Sequence, residues 1–214
     1  VLYFLVFAGC GVGIVTLLLP RKSPVARVWL GLCLGLVLMM WLPALCAFLW
    51  GFTVTAHVVA VAPLLLVCAG AVLLRDKSPW KRMGEEDGRL LRLLCLVALP
   101  LTAVGGYLQW THTIMPAADG SLHVGQSTYG DLALHLAIAS SLRNAVFPPD
   151  YNILPGELLA YPFLADSLST SFLLMGFSLR AALACLFFFL NGGLGFLYLV
   201  DMQGAVLGTY GSNE

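Results

Sequence analysis

Uncharged hydrocarbon length constrains this chain more than any other feature. Residues 1–19, 28–50 and 56–74 contain no Asp, Glu, Lys or Arg, and residues 93–107 repeat the pattern. Crossing the roughly 30 Å hydrocarbon layer of a bilayer takes about 20 apolar residues in a helix. Only 10% of the chain is charged, whereas a soluble domain carries roughly 25%. We therefore expect an all-α, polytopic transmembrane helix bundle of about six spans. The spans are read at 1–19, 26–50, 56–74, 90–107, 159–177 and 181–200. A net charge of zero gives no basic bias toward nucleic acid, and none is expected as a partner. The bilayer is.

Punctuation between the spans supports this division. Pro20-Arg21-Lys22-Ser23-Pro24 ends the first, and Arg75 to Arg89 is the most charged segment of the chain. Gly9, Gly11 and Gly13 follow no strand, so close helix packing is read there rather than a nucleotide loop. The six cysteines all lie inside apolar runs without CxxC spacing, which reads as small buried hydrophobes. His57 opens the third span as an interfacial residue. The chain begins at Val1 and closes on a polar tail, residues 201–214, so it is expected to be a piece of a longer protein.

Lysine and arginine in short loops mark the cytoplasmic side. Arg21, Lys22 and Arg27 follow span one, Arg75, Lys77, Lys81, Arg82 and Arg89 follow span three, and Arg180 follows span five. Strict alternation puts all three groups on one side. Residues 108–158 then form a long loop facing the periplasm or exterior, with Asp119, Asp131, Asp150 and Glu157 against Arg143 alone. The expected organisation is four spans in 1–107, this loop, two spans in 159–200 and the tail. The localisation is a cell (inner) membrane.

About 50 residues are too many for a plain connector, and the loop holds most of the chain's chemistry-bearing side chains. Residues 130–147 have helical composition and are expected to form an amphipathic helix on, or dipping into, the outer membrane surface. Asp131 and His135 are spaced i, i+4 and share a face. Thr128-x-x-Asp131 resembles a capping box. As a functional group, Asp131 is the candidate base toward an acceptor hydroxyl, or the holder of a divalent metal. His135 orients Asp131, shares its metal or binds a phosphate. Arg143, the loop's permanent cation, suits a phosphate through its planar fork. His112 and His123 read as solvated, and Asp150 as a turn residue. Asp166 lies in an apolar span, where an ionisable residue costs a few kcal/mol, and must face a cavity or a partner.

Gly130-Asp131-Leu132-x-x-His135, Tyr161-Pro162-Phe163-Leu164-Ala165-Asp166 and Asn191-Gly192-Gly193-Leu194-Gly195-Phe196 resemble poorly characterised multi-pass prokaryotic membrane proteins. These in turn resemble the GT-C glycosyltransferases, which take sugars from polyprenyl-phosphate carriers. The resemblance covers roughly residues 127–196 and makes this chain the N-terminal part of such an enzyme. It implies a lipid-linked sugar donor as partner, sugar transfer by direct displacement and Asp131 as the catalytic acid residue. Substrate binding then falls to His135, Arg143, Tyr161 and Asp166. Two other classes stay open: a transporter or channel lined by Asp166 and the glycine-rich 191–195 segment, and a non-catalytic scaffold whose loop helix docks another protein.

Overall fold

The computed structural model describes residues 2–73, 83–125 and 130–185. Helix α1 (Leu2–Leu18) and helix α2 (Pro24–Trp50) form a hairpin. Ser23 caps α2 by accepting from the Ala26 N–H at 3.3 Å, and Pro24 follows in the first turn. Both are residues that a helix start favours. The two helices meet backbone to backbone. A Cβ on Gly11 would lie 2.1 Å from the Gly31 carbonyl oxygen, and one on Gly35 would lie 2.5 Å from that of Phe7. Gly31 and Gly35, four apart, thus form the small-residue seam that lets helices approach closely where water supplies no hydrophobic drive. Of the three α1 glycines only Gly11 serves this packing; Gly9 and Gly13 face open space.

Helix α3 (Val54–Leu73) returns alongside this hairpin. A fourth long helical rod follows: α4 (Glu85–Leu93), a five-residue π-turn (Leu94–Ala98) and α5 (Leu99–His112). The wide turn lies directly before Pro100, which lacks an N–H and whose ring would strike the carbonyl four residues back. Asp87 joins the starts of two rods, accepting from the Val25 N–H at 2.9 Å and from the Gly84 N–H at 3.0 Å. Two helices, Pro24–Trp50 and Asp87–His112, are long and apolar enough to cross a membrane.

The fourth predicted span, 90–107, extends in the structure to His112, so the long loop begins five residues later than expected. It opens with a hairpin, β1 (Ile114–Pro116) and β2 (Leu122–Val124), antiparallel with Ile114 opposite Val124. Gly120 takes a positive φ of 84° in the turn. Asp119 accepts there from the Ser121 N–H and hydroxyl, which hold its carboxyl below the usual range.

Helix α6 (Leu132–Ser141) is shorter than the expected 130–147 and does not lie free on a surface. Its Leu132, Ile138 and Ala139 are buried, Ile138 in a cluster with Phe52 and Phe147. Asn144, at φ 60°, and the following Pro148-Pro149 end any helical continuation.

The fifth predicted span needs a larger correction. Residues 159–177 are not one membrane-length helix: α7 runs only from Leu164 to Leu174. Eleven residues reach about 16 Å, roughly half a bilayer core. Pro162 precedes the helix, and Gly176, at φ 89°, turns the chain after it. Residues Asp166 to Phe172 are all buried, so α7 is enclosed by protein. Helix resumes over residues 179–185. Arg180, placed with the basic loops by alternation, instead lies against Trp110 at the far end of α5. Alternation across residues 159–177 presumes a full-length helix there, and α7 is not one. Most of the sixth predicted span, the basic stretch 75–82 and the 191–195 segment lie outside the described residues.

Two measurements follow from this architecture. Gly31→Ala drives a methyl group into Val12 backbone and should cost about 1–3 kcal/mol in reversible unfolding in detergent. Gly9→Ala, whose methyl group meets open space, should not lower stability. In a cysteine-free background, thiol labelling from one side of sealed vesicles should reach Ser178→Cys together with Ser121→Cys and not with Lys22→Cys. Labelling of Ser178→Cys with Lys22→Cys would instead restore α7 as a full span.

Candidate functional site

Polar side chains concentrate where α6 and α7 cross. Helix α7 reads Leu164-Ala165-Asp166-Ser167-Leu168-Ser169-Thr170-Ser171, and each of its polar groups is buried. A buried hydroxyl needs a partner. Ser167 donates to the Leu164 carbonyl at 2.7 Å, and the Ser171 hydroxyl lies 2.9 Å from the Ser167 carbonyl. Thr170 reaches across to the Ala139 carbonyl of α6 at 2.8 Å, with the Asp166 carbonyl at 3.1 Å as its intrahelical alternative. One hydroxyl proton serves one of these at a time, and the shorter contact ties the two helices together.

Asp166 is the buried acid of this helix, and the ring of His135 on α6 answers it. His135 Nδ1 lies 3.0 Å from one carboxylate oxygen and 3.1 Å from the other. The Asp166 side chain is 2% exposed and that of His135 34%. A carboxylate accepts only, so this contact selects the tautomer with hydrogen on Nδ1. Nε2 is then the basic nitrogen, and it makes no hydrogen bond among the described residues. Asp166 stabilises the imidazolium formed when Nε2 takes a proton. This is the arrangement of an oriented general base. Tyr161 flanks the pair, its ring edge-on to His135 with centroids 5.9 Å apart.

The surrounding chain holds α6 and α7 in place. The α2–α3 turn bonds to the end of α6 through Phe52 N–H to the Ala145 carbonyl, 2.7 Å, and Asn144 N–H to the Phe52 carbonyl, 3.1 Å. Phe147 packs between Phe52 and Phe163, the residue before α7, at 5.7 Å from each ring. Gly51 makes this approach feasible: it sits at φ 66°, and a Cβ there would lie 2.9 Å from the Ala145 oxygen. His57 is a second anchor. Its Nε2 lies 2.8 Å from the Ser171 hydroxyl and its Nδ1 2.7 Å from the Thr53 carbonyl. Expected as an interfacial residue, it is buried and bonds α3 to α7.

The five predicted site residues therefore divide. His135, Tyr161 and Asp166 come together. Asp131 is exposed at the start of α6, one turn before His135, and its side chain makes no capping hydrogen bond. The Thr128 of the expected capping box lies outside the described residues. Arg143 is exposed past the far end of α6, eight residues from His135 and about 12 Å along a helix. His112 and His123 are exposed, and Asp150 pairs with Leu158 to close the loop leading to Tyr161. No group of three or more metal-ligating side chains converges among the described residues. A divalent ion at the crossing would find His135 and Asp166.

Spacing along the chain gave no warning of the Asp166 partner, since 31 residues separate it from His135. The run of hydroxyl residues 167–171 was the available signal for a buried polar helix. No protein-family model matches this chain, and comparison with curated proteins and with solved structures finds no similar one.

His135→Ala leaves a buried carboxylate unanswered and should cost about 1–3 kcal/mol in unfolding free energy. The double variant His135→Ala/Asp166→Ala should cost less than the sum of the single variants in a double-mutant cycle. Strict additivity would show that the two side chains do not interact.

Proposed function

We propose that this protein is a membrane transferase moving a sugar from a polyprenyl-phosphate-linked donor to an acceptor hydroxyl at the loop end of its helix bundle. The observation that carries the proposal is the oriented His135–Asp166 pair, half-buried at the end where the long loop gathers. In this reading α1, α2, α3 and the α4–α5 rod cross the inner membrane, and the α7 segment enters from the outer side without crossing. The basic residues Arg21, Lys22, Arg27, Arg89 and Arg92 mark the cytoplasmic side.

Chemically, sugar transfer needs a base for the acceptor, a path for displacement and charge compensation for the departing phosphate. Nε2 of His135 takes the acceptor proton as its oxygen bonds to the anomeric carbon. The bond from that carbon to the phosphate oxygen breaks, and its electrons leave with the lipid phosphate. Asp166 stays ionised and balances the imidazolium. Tyr161 supplies an aromatic edge of the kind that packs against a sugar face. Asp131, one turn away and facing the loop, binds acceptor or donor hydroxyls, or serves as the base itself.

A transporter is the competing reading, and one observation favours it: α7 is a half-length helix lined with buried polar groups, as at transport sites. Sugar release from a radiolabelled polyprenyl-phosphate sugar panel, in liposomes with the full chain, separates the readings. Removing a positioned general base typically costs about 10²–10⁴-fold, so His135→Ala should lose that much turnover. Asp131→Asn should lose less if the histidine is the base, and everything if Asp131 is. Absence of transfer with every donor, alongside substrate uptake that depends on Asp166, would give the site to transport.

A further inference from the structure

We infer that Arg180, braced on Trp110, is a phosphate-binding residue at the loop end of the bundle. The inference rests on the transferase reading for the identity of the donor, but not for the existence of the anion site.

Alternation in the sequence assigned Arg180 to the opposite side from the loop. The structure brings it to the same end. Its guanidinium carbon sits 4.0 Å over the Trp110 ring, and Nη2 donates to the Trp110 carbonyl. These two contacts hold the planar fork in one orientation, removing much of the rotamer freedom that a free arginine loses on binding. Nη1 makes no hydrogen bond to any described residue and Nη2 keeps a second hydrogen, whereas Nε is enclosed and is not offered to a ligand. No carboxylate among the described residues pairs with Arg180.

Position adds to chemistry. Leu179 and Leu183, on the same helical segment as Arg180, pack with Leu132 and Leu136 of α6 and with Ile114. Leu132 follows Asp131, and Leu136 follows His135. The cation is thus carried beside the part of α6 that bears the candidate base. Arg143, which the sequence nominated for phosphate, lies beyond the opposite end of α6. Trp110 and Tyr107 are large exposed aromatics of α5, the residue type that collects at the membrane–water boundary. A phosphate carried by a lipid lies at that depth. Planar, bidentate recognition of a phosphate is what a fixed arginine does better than a lysine.

Two lipids bring such a phosphate: the polyprenyl donor and an ordinary anionic phospholipid. The test uses the full chain in phosphatidylcholine nanodiscs, with binding of a polyprenyl monophosphate measured against the uncharged polyprenol. Wild type should retain the phosphate and not the alcohol. Losing a charge-assisted contact costs roughly tenfold in affinity or more, so Arg180→Gln should weaken binding by at least that factor. Arg143→Gln should not. Trp110→Leu keeps the charge but removes the brace and should weaken binding by a smaller factor. Thermal unfolding of each variant separates a lost site from a lost fold, and Arg180→Lys offers a charge-retaining variant if Arg180→Gln is unstable. Unchanged binding in folded Arg180→Gln, or loss in Arg143→Gln alone, overturns the inference. Equal competition by phosphatidylglycerol keeps the phosphate site but assigns it to bulk lipid, which counts against the donor reading. His135→Ala should retain phosphate binding while losing transfer. Failure of transfer with intact, Arg180-dependent binding therefore removes the enzyme reading and leaves this one standing.

Discussion

A carboxylate with almost no access to water has to be answered, and Asp166 is that carboxylate. An isolated buried charge costs several kcal/mol, so α7 can hold Asp166 only where another element brings a partner. His135 does so from α6, and the arrangement of the loop end follows from that requirement. Thr170 bonds α7 to α6, the Phe52 turn bonds to the end of α6, and His57 bonds α3 to α7. The hydrogen bonds are individually modest, near 1 kcal/mol each. Their combined effect is geometric: they keep one imidazole nitrogen on the acid and the other without a hydrogen bond to any described residue.

The bundle beneath uses a different principle. At the α1–α2 contact the backbones touch through Gly11, Gly31 and Gly35, where dispersion at close range holds the two helices together. The basic end adds Asp87, which ties the starts of α2 and α4 through backbone N–H groups. The result is a rod-like part held by shape and an end held by polar chemistry. In the proposed transferase reading, such a division suits a site at a boundary, where one half of a ligand is hydrocarbon and the other is charged.

Much of the helical part was legible from the chain alone. Runs without charge located α1, α2, α3 and the α4–α5 rod, and the Pro20–Pro24 stretch marked the first turn. Asp166 was legible as a residue that must find a partner, because its position in an apolar run is costly in itself. The boundaries of α6 and α7 were not. Hydropathy averages over a window, so a buried polar helix of 11 residues between apolar flanks reads as one longer span. Counting that helix as a crossing is what groups Arg180 with the basic loops by alternation, whereas in the structure it lies against Trp110.

Composition and pattern by themselves determined the helical class, the apolar helices before residue 112 and the segment where its polar chemistry collects. Those properties depend on transfer energies of individual residues, which add along the chain. Tertiary structure alone decided that His135 meets Asp166 rather than Asp131, that Arg143 stands apart from the pair, and that Arg180 reaches Trp110. These pairings join residues 31 and 70 positions apart. They depend on where two short helices cross and on which way α7 turns at Gly176, and no local propensity encodes either.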